Sequence, residues 1–270
     1  MKKTGIISML IMIFCIALFC GAAAAEEFTG LNDYQTWAVN TGYPQGYLVP
    51  TGINGINQDY FHSFPGAAGY DSGRIVIGDS RSCQLGIFQQ RTGGADYAVF
   101  AVWGGHYVPG TGTSIMTDQL LSEVEQCFQE QIRTNGSSTV FFFATINDYD
   151  YLYNYNSGYI SAAISSAETI ASMSYTYEGS TYYPEVILIG FDGIGADSGF
   201  SPDVFNRYVD PYNRELYDDA ANSAVLKNTA PYYTTVPQIT GGNTTFISDG
   251  IHYSDAVLQE IAGYMDSFGR

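Results

Sequence analysis

From residue 72 onward the sequence predicts an α/β domain, a mostly parallel sheet of about five strands with helices on both faces. Three observations carry this. Short runs of β-branched and aromatic residues alternate with longer segments whose apolar residues recur every three and four positions. The run Thr139 to Ala144 is apolar almost throughout, as a strand covered on both faces must be. No period of roughly 20 to 50 residues recurs, which argues against a solenoid or propeller.

Residues 1–25 have the composition of an export leader and are set apart from the fold. Lys2 and Lys3 make a basic start, Ile6 to Cys20 an apolar core and Ala22 to Ala25 a small-residue cleavage site, so the cut is expected after Ala25. The core is shorter than the roughly 20 residues of a spanning helix. The bulky Phe19 before Cys20 argues against lipid attachment. A secreted protein of about 245 residues without a stable membrane anchor is the expectation. Residues 26–71 are rich in Gly, Pro, Asn and aromatics with no helical period, and read as an irregular extension packed on the domain of residues 72–270.

Arg74 to Ile77 is the first buried strand, ending at Gly78. A helix is expected over Ser82 to Gln90, with Cys83 and Ile87 on one face. Asp96 to Trp103 is a second strand, broken by Gly104-Gly105. Thr117 caps an amphipathic helix running to Arg133, with Leu120, Val124, Cys127 and Phe128 among its inward residues. Thr139 to Ala144 is the third strand, Gly158 to Ser174 a helix and Glu185 to Phe191 the fourth strand. Pro202 to Lys227 reads as helix interrupted at Pro211, Tyr232 to Val236 as a fifth strand and Ser254 to Phe268 as the closing helix.

The chain carries 10 Lys+Arg against 27 Asp+Glu, a formal charge of −17. Such a surface repels polyanions, so nucleic acid is excluded as a partner, while neutral glycans and small neutral esters are compatible. Cys15 and Cys20 leave with the leader. Cys83 and Cys127 are either one disulfide in an oxidising exterior or two buried thiols, and the sequence leaves both open.

The chemistry gathers at strand ends, where open parallel sheets bind their ligands. Ser80 follows the first strand in Gly78-Asp79-Ser80, Gly104-Gly105 follow the second, and Asn147 follows the third in Thr145-Ile146-Asn147-Asp148. Asp249 precedes His252 by three residues, just before the last helix. A serine hydroxyl needs a base to remove its proton during attack, which His252 can do while Asp249 holds its far nitrogen. The Ser80 N–H, a glycine N–H at Gly105 and the Asn147 amide can converge on an oxyanion. Gly104 is the alternative glycine donor.

These residues resemble the SGNH (GDSL-like) hydrolases. Gly78-Asp79-Ser80, Gly104-Gly105, Thr145-Ile146-Asn147-Asp148 and Asp249-x-x-His252 stand for the four blocks, over roughly residues 72 to 268. The resemblance implies a three-layer α/β/α, flavodoxin-like domain and ester hydrolysis through an acyl-serine, with no metal and no organic cofactor. It gives Ser80 as nucleophile, His252 as base, Asp249 as its orienter, and Ser80, Gly105 and Asn147 as oxyanion donors. Two positions depart from the pattern: Thr145 stands where the third block usually begins with glycine, and Arg81 follows the serine where leucine is common.

The substrate expected is a small-molecule or glycan ester, with acetyl or another short acyl group on a carbohydrate foremost. A lipid or general carboxylester hydrolase, a sugar O-acyltransferase and a non-catalytic glycan-binding protein are the alternatives. His62 and His106 lack metal-ligand spacing, and polar packing is the expectation for His106. Asp148-x-Asp150 and Asp192 with Asp197 lack a full calcium pattern. Tyr149, Tyr151, Tyr153 and Tyr155 form an alternating run that could present a sugar-stacking face.

Overall fold

Six strands form one sheet in a computed structural model that describes residues 27–30, 33, 34, 36, 61–63, 72–93, 97–149, 157–228 and 231–268. The chain runs through β1 (Phe61–Ser63), β2 (Arg74–Gly78), α1 (Ser80–Thr92) and β3 (Ala98–Ala101). Two short strands follow, β4 (Gly105–His106) and β5 (Thr113–Ser114), then α2 (Asp118–Asn135), β6 (Thr139–Phe143) and α3 (Ser157–Ala171). A hairpin, β7 (Tyr175–Tyr177) and β8 (Ser180–Tyr182), leads into β9 (Glu185–Gly190). After it come α4 (Pro202–Phe205), α5 (Val209–Asn222), β10 (Tyr233–Thr235), α6 (Val236–Ile239) and α7 (Asp255–Asp266).

The sheet order is β1-β3-β2-β6-β9-β10, and every pairing is parallel except that of β1 with β3. The five parallel strands are those expected from sequence, and β1 adds an antiparallel edge. In chain order the parallel set reads 2-1-3-4-5, the flavodoxin-like winding. Its switch point lies between β2 and β6, so a crevice opens beyond their carboxyl ends.

The strands are apolar on both sides because each faces two cores. Ile75, Ile77, Val140, Phe142, Val186 and Leu188 join one core with α2, α3 and α5. Val76, Phe141, Phe143, Ile187 and Ile189 join the other with α1 and α7. Tyr34, fully buried, joins the second core, and its hydroxyl donates to Asp255 Oδ1 at 2.7 Å.

Cys127 lies in the first core and Cys83 in the second, so the sheet stands between two free thiols. Burial pushes the Cys127 thiol up to about 12 and the Cys83 thiol well above its ordinary value. Neither thiol is expected to react with a water-soluble thiol reagent at pH 8, and both should react in denaturant. A fast-reacting thiol in the native protein would contradict this placement.

Helix boundaries follow their caps. α1 starts at Ser80 rather than Ser82 because Asp79 accepts from the Arg81 N–H as N-cap. Thr117 caps α2 by accepting from the Leu120 N–H at 3.1 Å. The helical break expected at Pro211 falls earlier, at the 3₁₀ turn Asn206–Tyr208. Pro211 itself sits in the first turn of α5, where no intrahelical N–H is lost. The β7–β8 hairpin was not expected, since its strands are only three residues each and largely solvent-facing. Among the described residues no helix is long and apolar enough to cross a membrane. The export leader and Tyr151, Tyr153 and Tyr155 lie outside the described residues, as does the His62 side chain.

Candidate active site

Ser80 opens α1 directly at the end of β2, the first strand of the switch point. Its Oγ lies 2.9 Å from His252 Nε2, although 172 residues separate the two. His252 Nδ1 lies 2.7 Å from Asp249 Oδ2. The other Asp249 oxygen accepts the N–H groups of Ile251 at 2.8 Å and His252 at 2.9 Å, so one carboxylate both shapes the loop and grips the ring. Burial would raise the Asp249 pKa, but its bonds to His252 outweigh this and hold it below the usual carboxylate range. A depressed pKa stabilises the fold above the ordinary carboxylate range, and that support fades only as the solution becomes strongly acidic. The Trp103 ring stacks on His252 at 5.5 Å and 24° from parallel, fixing the imidazole plane.

The loop carrying Asp249 and His252 requires glycine at 250. Its φ is +65°, and an added Cβ would come within 2.4 Å of the Ser198 nitrogen. The Gly250 carbonyl also accepts from the Gly195 N–H at 2.7 Å, joining this loop to the one after β9.

Of the three groups expected to face an oxyanion, one is engaged elsewhere. The Gly105 N–H donates to the Val102 carbonyl at 2.9 Å and closes a tight turn, so it is committed to the backbone. Gly105 is needed for packing instead, because a Cβ there would lie 2.6 Å from Ile115 and 2.7 Å from Val102. Its neighbour Gly104, at φ +67°, is half-buried, and a Cβ there would meet nothing within 4 Å. Among the described residues no acceptor faces the Gly104 N–H. The Ser80 N–H, at the first helical position, has no intrahelical acceptor.

Asn147 follows β6 in a single 3₁₀ turn. Its Nδ2 lies 3.1 Å from the Gly105 carbonyl, 3.2 Å from Asp79 Oδ2 and 3.2 Å from Thr145 Oγ1. Thr145 is fully buried, and its Oγ1 sits 2.7 Å from Asp79 Oδ2 and 3.0 Å from the Gly105 carbonyl. The Thr145 hydroxyl is thus the knot between three strand ends.

Several residues of the site carry no sequence signal of chemistry. Asp79 is 1 % exposed and accepts from the Arg81 and Ile146 N–H groups as well as from Thr145 and Asn147. Sequence reading gave it no role beyond its place in Gly78-Asp79-Ser80, because the partners of its second oxygen lie far along the chain. His106 pairs with Asp148 at 3.2 Å, and Asp148 also accepts the Tyr107 N–H at 2.6 Å. His106 therefore braces the segment after the glycine turn, the polar packing expected for it. Asp192 pairs with Arg81, and Asp148 accepts the Tyr107 and Val108 N–H groups as well as pairing with His106. Among the described residues no cluster of three or more His, Cys, Asp or Glu side chains is arranged to hold a metal.

A cavity of about 160 Å³ opens beside the site, lined by Ile146, Asn147, Ile194, Phe200, Phe205 and Ile251. Of its lining residues, Asn147 belongs to the site and Ile251 precedes His252 in the chain. Its other walls are apolar.

No protein-family model matches the sequence, and no curated protein matches it. Solved structures with a similar chain path include the native aryl esterase of M. smegmatis, at 13% identity and a TM-score of 0.49, covering 72% of this chain and 96% of that one. Est24, a carbohydrate acetylesterase from Sinorhizobium meliloti, has 11% identity and a TM-score of 0.48, with the same coverage. A carbohydrate acetylesterase family member from the same organism has 15% identity and a TM-score of 0.44, covering 72% of this chain and 95% of that one.

Proposed function

We propose that this protein is a secreted serine esterase that hydrolyses short-chain acyl esters, acetyl foremost, carried on carbohydrate. One observation carries the reading: the unbroken contact from Ser80 Oγ through both ring nitrogens of His252 to Asp249. A buried serine hydroxyl could find many partners. An imidazole held in plane by Trp103 and backed by an ionised carboxylate is the partner that makes it a nucleophile.

In this mechanism Ser80 Oγ attacks the ester carbonyl carbon while His252 Nε2 takes the hydroxyl proton. The imidazolium is stabilised by Asp249, and the developing oxyanion lies among the Ser80 N–H, the Gly104 N–H and Asn147 Nδ2, which exchanges one of its resting acceptors, Asp79 Oδ2 or the Gly105 carbonyl, for the oxyanion. The carbon–oxygen bond to the alcohol breaks as His252 returns its proton to the leaving oxygen. Water then repeats the sequence on the acyl-serine, releasing the acid and restoring Ser80. Asn147→Ala should lower kcat by about 10²–10³-fold with little change in KM, the loss expected for one oxyanion donor. A variant that loses only KM would remove Asn147 from that role.

The cavity supports a short acyl group. An apolar cavity of about 150 Å³ holds one benzene-sized molecule, and the space beside Asn147 is about 160 Å³. Across p-nitrophenyl acetate, butyrate, hexanoate and decanoate, turnover should persist through the short chains and fall at least about tenfold at decanoate. Ile194→Trp should lower the hexanoate-to-acetate ratio of kcat/KM, since each methylene excluded forfeits about 0.8 kcal/mol. A profile that climbs steadily to decanoate would count against the short-chain reading. The carbohydrate portion rests on the export leader expected over residues 1–25 and on an acidic chain that is 15% aromatic. Acetate release from acetylated xylan or peptidoglycan tests it.

A further inference from the structure

His252 stands between two residues whose backbone is held by the helix that Ser80 begins. Arg81 Nε donates to the Ile251 carbonyl at 2.9 Å. Gln84 grips Tyr253 on both backbone groups: its Nε2 donates to the Tyr253 carbonyl at 2.7 Å, and its Oε1 accepts the Tyr253 N–H at 3.0 Å. Arg81 and Gln84 are three apart on α1, so they share one helix face. Arg81 is 6% exposed and Gln84 fully buried.

The Arg81 guanidinium reaches further. Its remaining nitrogens pair with Asp192 and donate to the Gly193 carbonyl at 3.2 Å and to the Tyr253 hydroxyl at 3.2 Å. The Tyr253 hydroxyl in turn donates to Asp192 at 2.9 Å, and the Tyr253 ring lies 4.6 Å beneath the guanidinium. The Arg81–Asp192 pair makes a poor stability device. Buried ion pairs seldom repay their desolvation, and Asp192 Oδ2 has no hydrogen-bond partner among the described residues. Its planar fork, however, spans the loop after β9 and the His252 loop together, which a single ammonium cannot do.

We propose that Arg81 and Gln84 are positioning residues, forming a clasp by which the nucleophile's own helix carries the base loop and sets the Ser80–His252 contact. Asp192 and Tyr253 orient the guanidinium within it. The inference rests on the esterase reading for its kinetic test. Because both catalytic atoms are referred to one rigid helix, movement of that helix against the sheet leaves their separation unchanged. Loosening the clasp frees His252 to drift from Ser80, and a misplacement near 1 Å is worth about 10²-fold in rate.

The test compares Arg81→Lys, which keeps the charge and loses the fork, with Gln84→Met, which keeps the volume and loses both backbone bonds. Thermal unfolding checks that each variant is folded. Labelling of Ser80 by a fluorophosphonate counts competent sites, and kcat per labelled site is measured with p-nitrophenyl acetate. The expected result is a fall of about 10–100-fold in kcat per site with KM within about threefold. Activity that simply tracks the labelled fraction, with kcat per site unchanged, would make these residues supports of the fold and overturn the clasp. A wild-type protein that neither labels nor cleaves any ester would refute the esterase reading instead. The clasp is then decided by NMR, through the downfield proton of His252 Nδ1–H, which should be sharp in the wild type and broadened in both variants. An unchanged resonance in folded variants would overturn the clasp whatever the activity.

Discussion

Ser80→Ala is expected to lower p-nitrophenyl acetate turnover by a factor on the order of 10⁴–10⁶ and to leave unfolding cooperative. Removing the hydroxyl deletes one contact, the 2.9 Å bond to His252, and creates no overpacking. The cost to stability should therefore stay near 1 kcal/mol. His252→Ala should lose a comparable factor. The double variant should be scarcely worse than either, because the two act as one unit. Independent, multiplying losses would mean that Ser80 and His252 serve different steps. Residual turnover near the wild-type rate in Ser80→Ala would reject the acyl-serine altogether.

Asp79→Ala is expected to damage fold and activity together. Asp79 is 1 % exposed; its Oδ1 caps α1, and its Oδ2 accepts from Thr145, the Ile146 N–H and Asn147. Truncation removes the cap, worth about 1 kcal/mol, and leaves buried donors unpaired at about 1–3 kcal/mol each. A loss of at least about 3 kcal/mol by urea unfolding follows. Asp79→Asn should recover the cap and little else, since its amide would present hydrogens to groups that themselves donate. If Asp79→Asn proves as stable and active as the wild type, the Oδ2 network has no such weight.

Much of the fold was legible because its causes are local. β2, β6 and β9 are continuous apolar runs, and the reason emerged as two cores that each strand feeds from opposite faces. Thr117 was readable as a cap, since capping depends on a side chain and a backbone N–H within one turn. The Asp249–His252 pair was also local: a three-residue spacing lets one carboxylate bind two loop N–H groups and the ring. Pro211 misled because a proline in the first turn of a helix resembles a break.

The site divides along the same line. Sequence alone determined the chemical types: a hydroxyl at one strand end, an amide at another, and an imidazole with its carboxylate before the last helix. It also determined that the hydroxyl and the amide fall at the carboxyl ends of parallel strands, because alternating strands and helices admit few windings. Tertiary structure decided everything that depends on which distant groups meet. Gly104 rather than Gly105 offers the open N–H because the Gly105 N–H closes a turn on Val102. Cys83 and Cys127 stay apart because the sheet lies between them. Arg81, one residue past Ser80, became a tether to Ile251, 170 residues away. Spacing along the chain encodes contacts made within a turn or a strand. Contacts closed by the packing of helices on a sheet have no period in the sequence, and only the folded chain brings their partners together.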